Sequence, residues 1–131
     1  MVKKLKILIV DDCKVMQAVI RRTLQLANIH MDIVDTADNG KSGLIKLKKN
    51  GYDLLVLDVN MPVMDGMELI YQVKNDSSLA NMPVLIVSAE SNEGRKKTLS
   101  GLGAGFVHKP FTPEILREEI LKIARGLVKP I

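Results

Sequence analysis

An α/β fold, with a parallel sheet covered by helices on both faces, is what this sequence predicts, and three observations predict it. Short apolar runs alternate with longer stretches whose apolar residues recur at helical spacing, giving five β-then-α units in series. Nearly half of the 131 residues are apolar (47%), enough for a real core in one domain of ordinary size. No internal repeat, low-complexity tract or Gly/Ser linker divides the chain. Units of this kind join by right-handed crossovers, and their ligand site lies beyond the carboxyl ends of the strands.

The elements follow in order. Leu5 to Val10 reads as a buried strand, and Val15, Met16, Val19, Ile20, Leu24 and Ala27 then recur at helical spacing. A second strand runs from Met31 to Thr36, followed by a helix near Lys41 to Lys49 that Asn50-Gly51 ends. The third apolar run, Leu54 to Leu57, stops at Asp58; Asp65 and Gly66 turn the chain into a helix from Met67 to Lys74. Pro83 opens a fourth strand, Val84 to Val87, because proline suits a strand's first residue. A weaker helix spans Glu93 to Ser100, and Phe106 to His108 form a short fifth strand. Thr112 as N-cap, Pro113 at the first helical position and Glu114 in the first turn start the last helix. Its apolar stripe is Leu116, Ile120, Ile123, Ala124 and Leu127.

Composition excludes several classes. No apolar run reaches the roughly 20 residues of a membrane span, and the first residues are not a signal peptide. A lone cysteine, Cys13, makes no internal disulfide, so a reducing cytoplasm is the expected home. Beside acidic neighbours its thiol is not expected to be reactive. The net charge of +4 comes from scattered lysines, with four aromatic residues and no nucleic-acid motif, so solvated lysine faces are expected rather than nucleic-acid binding. The methionines Met16, Met31, Met61, Met64, Met67 and Met82 are read as packing residues, and His30 and His108 as ordinary surface or strand positions.

The chemistry gathers at the strand ends. The first strand ends in Asp11-Asp12, the third in Asp58, the fourth in Ser88, and the fifth leads into Lys109. Singly, each has a plain account: a helix cap, a strand end, a turn, a surface lysine. In a parallel sheet they converge. Three carboxylates ~5 Å apart at an effective dielectric of ~20 repel by on the order of 3 kcal/mol per pair, so a cation is expected among them. All-oxygen ligation suits Mg²⁺, which shares its shell with phosphate. A carboxylate, a hard cation, an ammonium and a hydroxyl are the parts that hold a phosphoryl group while an aspartate oxygen attacks it.

In Ile7-Leu8-Ile9-Val10-Asp11-Asp12, Leu57-Asp58-Val59-Asn60-Met61-Pro62-Val63-Met64-Asp65-Gly66, Val87-Ser88-Ala89-Glu90 and Phe106-Val107-His108-Lys109-Pro110-Phe111, the chain resembles the response-regulator receiver family. Within it, the likeness is to stand-alone chemotaxis regulators of the CheY type. The resemblance implies a flavodoxin-like (βα)5 three-layer sandwich with strand order 2-1-3-4-5, a single receiver domain over 1–131 with its core at about 5–127. It implies Asp58 as phosphoacceptor and Mg²⁺ held by Asp12, Asp58 and the Asn60 carbonyl, with Asp11 acting through a water. Lys109 and Ser88 would hold phosphoryl oxygens, Lys109-Pro110 would be cis, and Ser88 with Phe106 would form the switch. The fourth helix, fifth strand and fifth helix would be the output surface. The implied partners are a histidine kinase, an output protein such as the flagellar motor switch, and a phosphatase; a cytoplasmic monomer is expected, with Met1 and no linker after Lys129 suiting a complete protein. Asn60 and Glu90 flank the path of the hydrolytic water and imply quick self-dephosphorylation.

Three positions depart from the commonest family pattern. Ser88 stands for threonine, Phe106 for tyrosine, and Cys13 for serine. A relay carrier serving a histidine phosphotransfer protein remains open beside the chemotaxis reading. An aspartyl-phosphate phosphatase would need a second acid where Asn60 stands. A flavin binder on the same fold would need a phosphate-welcoming first loop where Asp11-Asp12 repels one.

Overall fold

Successive side chains of a strand point to opposite faces, so a strand apolar at every position must be covered on both. The strand over Leu54–Leu57 is buried at all four residues, and the one over Val84–Ser88 at all five. The computed structural model describes residues 4–59, 61, 63–89 and 93–124. It contains β1 (Leu5–Val10), α1 (Lys14–Leu26), β2 (Met31–Ala37), α2 (Gly40–Lys49), β3 (Leu54–Leu57), α3 (Gly66–Lys74), β4 (Val84–Ser88), α4 (Glu93–Gly101), β5 (Gly105–His108) and α5 (Pro113–Ile123). All strand pairs are parallel and the order is β2-β1-β3-β4-β5, as expected.

The two faces of the sheet make two cores. Ile7, Ile9, Val56, Val87 and Val107 pack under α1 and α5, through Ile20, Leu24, Leu116 and Ile120. Leu8, Val10, Leu55, Leu57 and Ile86 face the other way, against Leu47 of α2, Leu69 and Val73 of α3, and Leu99 of α4. The methionines within the described residues pack against these cores, as expected. Leu127 of the expected last stripe lies outside the described residues.

Helix starts follow local chemistry. The side chain of Asn39 accepts from the Ser42 amide, that of Asp65 from Glu68, and that of Thr112 from Ile115, each satisfying an otherwise orphaned donor. Cys13 opens α1 with no side-chain cap.

The helix α1 departs from the expected stripe. Val15 (72% exposed) and Val19 (42%) face solvent, while Gln17 and Thr23 are buried beside Ile20 and Leu24. Both polar side chains have internal partners: Thr23 donates to the Val19 carbonyl, and Gln17 donates to acceptors around the start of the helix. Apolar periodicity is blind to a buried polar group that is fully hydrogen-bonded.

The edge strand β2 carries a different device. Arg21 of α1 donates to the Val34 carbonyl at 3.2 Å, and Lys46 of α2 donates to that of Thr36.

Two backbone features bear on the loop after β3. The Gly40 amide donates to the Met64 carbonyl at 2.9 Å, and a Cβ at Gly40 would lie 2.4 Å from that oxygen. Gly40→Ala should therefore cost about 1–3 kcal/mol through forced displacement of backbone, read as a lower urea midpoint; an unchanged midpoint would show that the loop yields freely. Val63, a β-branched residue, sits at φ 71°, a left-handed conformation that costs roughly 1–2 kcal/mol for most L-residues and less for asparagine. Val63→Asn should raise the melting temperature by a few degrees, about 1 kcal/mol.

Candidate functional site

The ends of β1 and β3 lie side by side because Val10 pairs with Leu57, and Asp58 donates its amide to the Val10 carbonyl at 3.0 Å. That register places Asp11 beside Asp58. One carboxylate oxygen from each of Asp11, Asp12 and Asp58 lies within 4.8 Å of the others. Asp11 is 1% exposed and the Asp58 side chain 13%, whereas Asp12 is exposed to solvent. Beyond Asp58 the chain folds back tightly: Gly66 donates to the Val59 carbonyl, and a Cβ there would lie 2.5 Å from the Asp58 carbonyl oxygen.

Lys109 approaches from the far side. Its Nζ is 3.8 Å from an oxygen of Asp11 and 3.8 Å from one of Asp58. It follows β5, its amide donates to the Ser88 carbonyl at 2.9 Å, and the bond to Pro110 is cis, as expected. Ser88, fully buried, ends β4 opposite His108. Phe106 pairs with Ile86 and packs on the core that Ile86 joins; by the two-residue alternation, Ser88 and Phe106 share that face of the sheet. The Lys96 Nζ stands 5.5 Å from the Phe106 ring centroid. Asn60 and Glu90 lie outside the described residues.

The electrostatics match the crowding. Burial, opposed by the Cys13 amide and Lys109 and reinforced by Asp58 and Asp12, raises the pKa of Asp11 above the usual carboxylate value of 3.8. Its Oδ1 accepts from the Cys13 amide at 2.9 Å, while its buried Oδ2 has no hydrogen bond among the described residues. Three clustered carboxylates, one of them buried with an oxygen that lacks a hydrogen bond among the described residues, are a donor set that fits a small divalent cation.

Two further side chains border the site that neither periodicity nor motif singled out. Gln17 is buried beneath the β1–α1 loop, and Asp38 follows β2 and pairs with Lys14 at 2.8 Å. The Lys14 ammonium and then the Gln17 amide hold the Asp38 carboxyl below its usual pKa. A glutamine five residues past the Asp11-Asp12 pair and an aspartate just after a strand are too ordinary in sequence to have pointed there.

A doubly wound parallel sheet with acidic side chains at the carboxyl ends of neighbouring strands defines an α/β protein whose ligand site lies at that rim. The family model for the response regulator receiver domain matches residues 7–121, and the chain belongs to that family. It is 35% identical over 126 residues to chemotaxis protein CheY-3 of Vibrio cholerae, covering 95% of each chain. It is 38% identical over 120 residues to chemotaxis protein CheY of Pseudomonas aeruginosa, covering 91% of this chain and 95% of that one. The solved structure of Vibrio cholerae chemotaxis protein CheY4 superposes with a TM-score of 0.79 at 34% identity, over 92% of this chain and 99% of the other. This is a CheY-like receiver domain, of a class that signals through phosphorylation.

A carboxyl with a raised folded-state pKa binds its proton more tightly in the folded chain, so ionising it weakens the fold. Metal-free protein should lose stability as pH rises from 3.8 through the raised value of Asp11, and regain it on the way down. Asp11→Asn should flatten that dependence and raise the metal-free melting temperature at neutral pH, by about 4 °C for on the order of 1 kcal/mol of relieved burial penalty and, secondarily, repulsion. Calorimetric scans of both proteins in chelator check this.

Proposed function

We propose that the chain is a phosphorylation-activated response regulator of a two-component system, with Asp58 as its phosphoryl acceptor. The observation that carries this reading is the cluster itself: three carboxylate oxygens within 4.8 Å, with the Lys109 ammonium 3.8 Å from both Asp11 and Asp58. The donor is a phosphohistidine on a histidine kinase. A carboxylate oxygen of Asp58 attacks phosphorus as the donor's P–N bond breaks; the electron pair stays on the imidazole nitrogen, which takes up a proton. Lys109 meets the charge on the transferring oxygens, a point charge where the developing charge is greatest. A bound Mg²⁺ would add charge neutralisation, and Asp11, Asp12, Asp58 and the main-chain carbonyl of Asn60 are the groups that would hold it.

The acyl phosphate then acts as a switch. The Ser88 hydroxyl donates to a phosphoryl oxygen, and Phe106, on the same face of the sheet, moves into the space this leaves. The surface of α4, β5 and α5 changes with it and binds an output protein, in chemotaxis the flagellar motor switch. The chain turns over only its own phosphoryl group.

Mass spectrometry after treatment with acetyl phosphate and Mg²⁺ tests the reading. Wild type should gain one phosphoryl group, Asp58→Asn none, and chelator should slow labelling by at least roughly tenfold. A labelled Asp58→Asn, or an unmodified wild type, overturns it.

A further inference from the structure

We infer that Gln17 is a positioning residue for the acidic cluster: it clamps the loop carrying Asp11 and Asp12 against the charge repulsion that would open it. This rests on the proposed divalent-cation site and assigns a residue that supports it from beneath.

The loop between β1 and α1 has an unusual need. It carries two of the three carboxylates, one of them buried with an oxygen that lacks a hydrogen bond among the described residues, and its helix begins at Cys13 without a side-chain cap. Without the cation, mutual repulsion works to push Asp11 toward solvent, against the bond that it accepts from the Cys13 amide and the Lys109 ammonium 3.8 Å away. A buried amide answers that need. Gln17 is 5% exposed, and its Nε2 donates to the Asp11 carbonyl at 2.7 Å, to the Asp38 carboxylate at 3.0 Å and, longer, to the Ala37 carbonyl at 3.4 Å. Asp11 in turn donates its amide to the Ala37 carbonyl. One side chain thus joins the end of β1, the end of β2 and the first turn of α1.

The amide is itself held in place. Asp38 Oδ1 accepts from both Gln17 and Lys14, the two members of α1 that flank its first turn. A rotation that pulled Gln17 off the Asp11 carbonyl would also leave a buried acceptor without its donor, a penalty that keeps the loop closed. Residues standing behind metal ligands commonly change metal affinity by about 10–100-fold when lost.

The test is calorimetric titration of Mg²⁺ into wild type and Gln17→Met, a swap of similar size without donors, alongside melting temperatures and the backbone amide NMR shifts of residues 11–13. Gln17→Met should bind Mg²⁺ about tenfold more weakly and lose the wild-type amide shifts of the loop before metal is added. Thr23→Ala, which trims a buried side chain of the same helix away from the site, should lower the melting temperature and leave the Mg²⁺ affinity within twofold of wild type (roughly the scatter between independent sites). Should Gln17→Met fail to fold, Gln17→Ser carries the same comparison. Wild-type affinity in the Gln17 variant, or equal weakening in Thr23→Ala, overturns the inference; a wild type that binds no Mg²⁺ overturns the cation site beneath it.

Discussion

Three negative charges forced together at one rim of a sheet are the constraint on which this molecule is organised. Nothing in the carboxylates favours their meeting. The register of β1 against β3 imposes it, because Val10 opposite Leu57 leaves no choice about where Asp11 and Asp58 emerge. The sheet can impose it because both its faces are sealed by apolar side chains whose burial outweighs the repulsion at one end. Lys109 and the buried amide of Gln17 are the local answers to a conflict that the fold creates.

Much of this was legible beforehand, for identifiable reasons. Strands that are buried on both sides announce themselves as continuous apolar runs, and Thr112-Pro113-Glu114 or Asp65-Gly66 mark helix starts through chemistry that needs no tertiary context. Strand ends rich in Asp, Ser and Lys become a single place once the strands are parallel. Asp11, Asp12 and Asp58 meet at the rim as expected.

The face of α1 was not legible, and the failure has one cause. Val15 and Val19 fit the apolar period yet lie exposed, because Gln17 and Thr23 have partners that make their burial favourable. Two of Gln17's partners, the Ala37 carbonyl and the Asp38 carboxylate, come from the end of β2, so nothing in a window around Gln17 reports them. The close approach of Gly40 to Met64 is hidden in the same way, since it joins residues from different crossovers. Polar burial and backbone contact are tertiary facts.

The cationic side chains over β2 carry a consequence for how the molecule meets others. A peripheral strand ordinarily advertises unsatisfied carbonyls to any extended peptide. Here Arg21 and Lys46 already occupy those of Val34 and Thr36. Recruitment by sheet extension is thereby discouraged along this border, and so is the stacking of copies into fibrils. Encounters are steered toward helical and loop surfaces, where a change in shape can be felt.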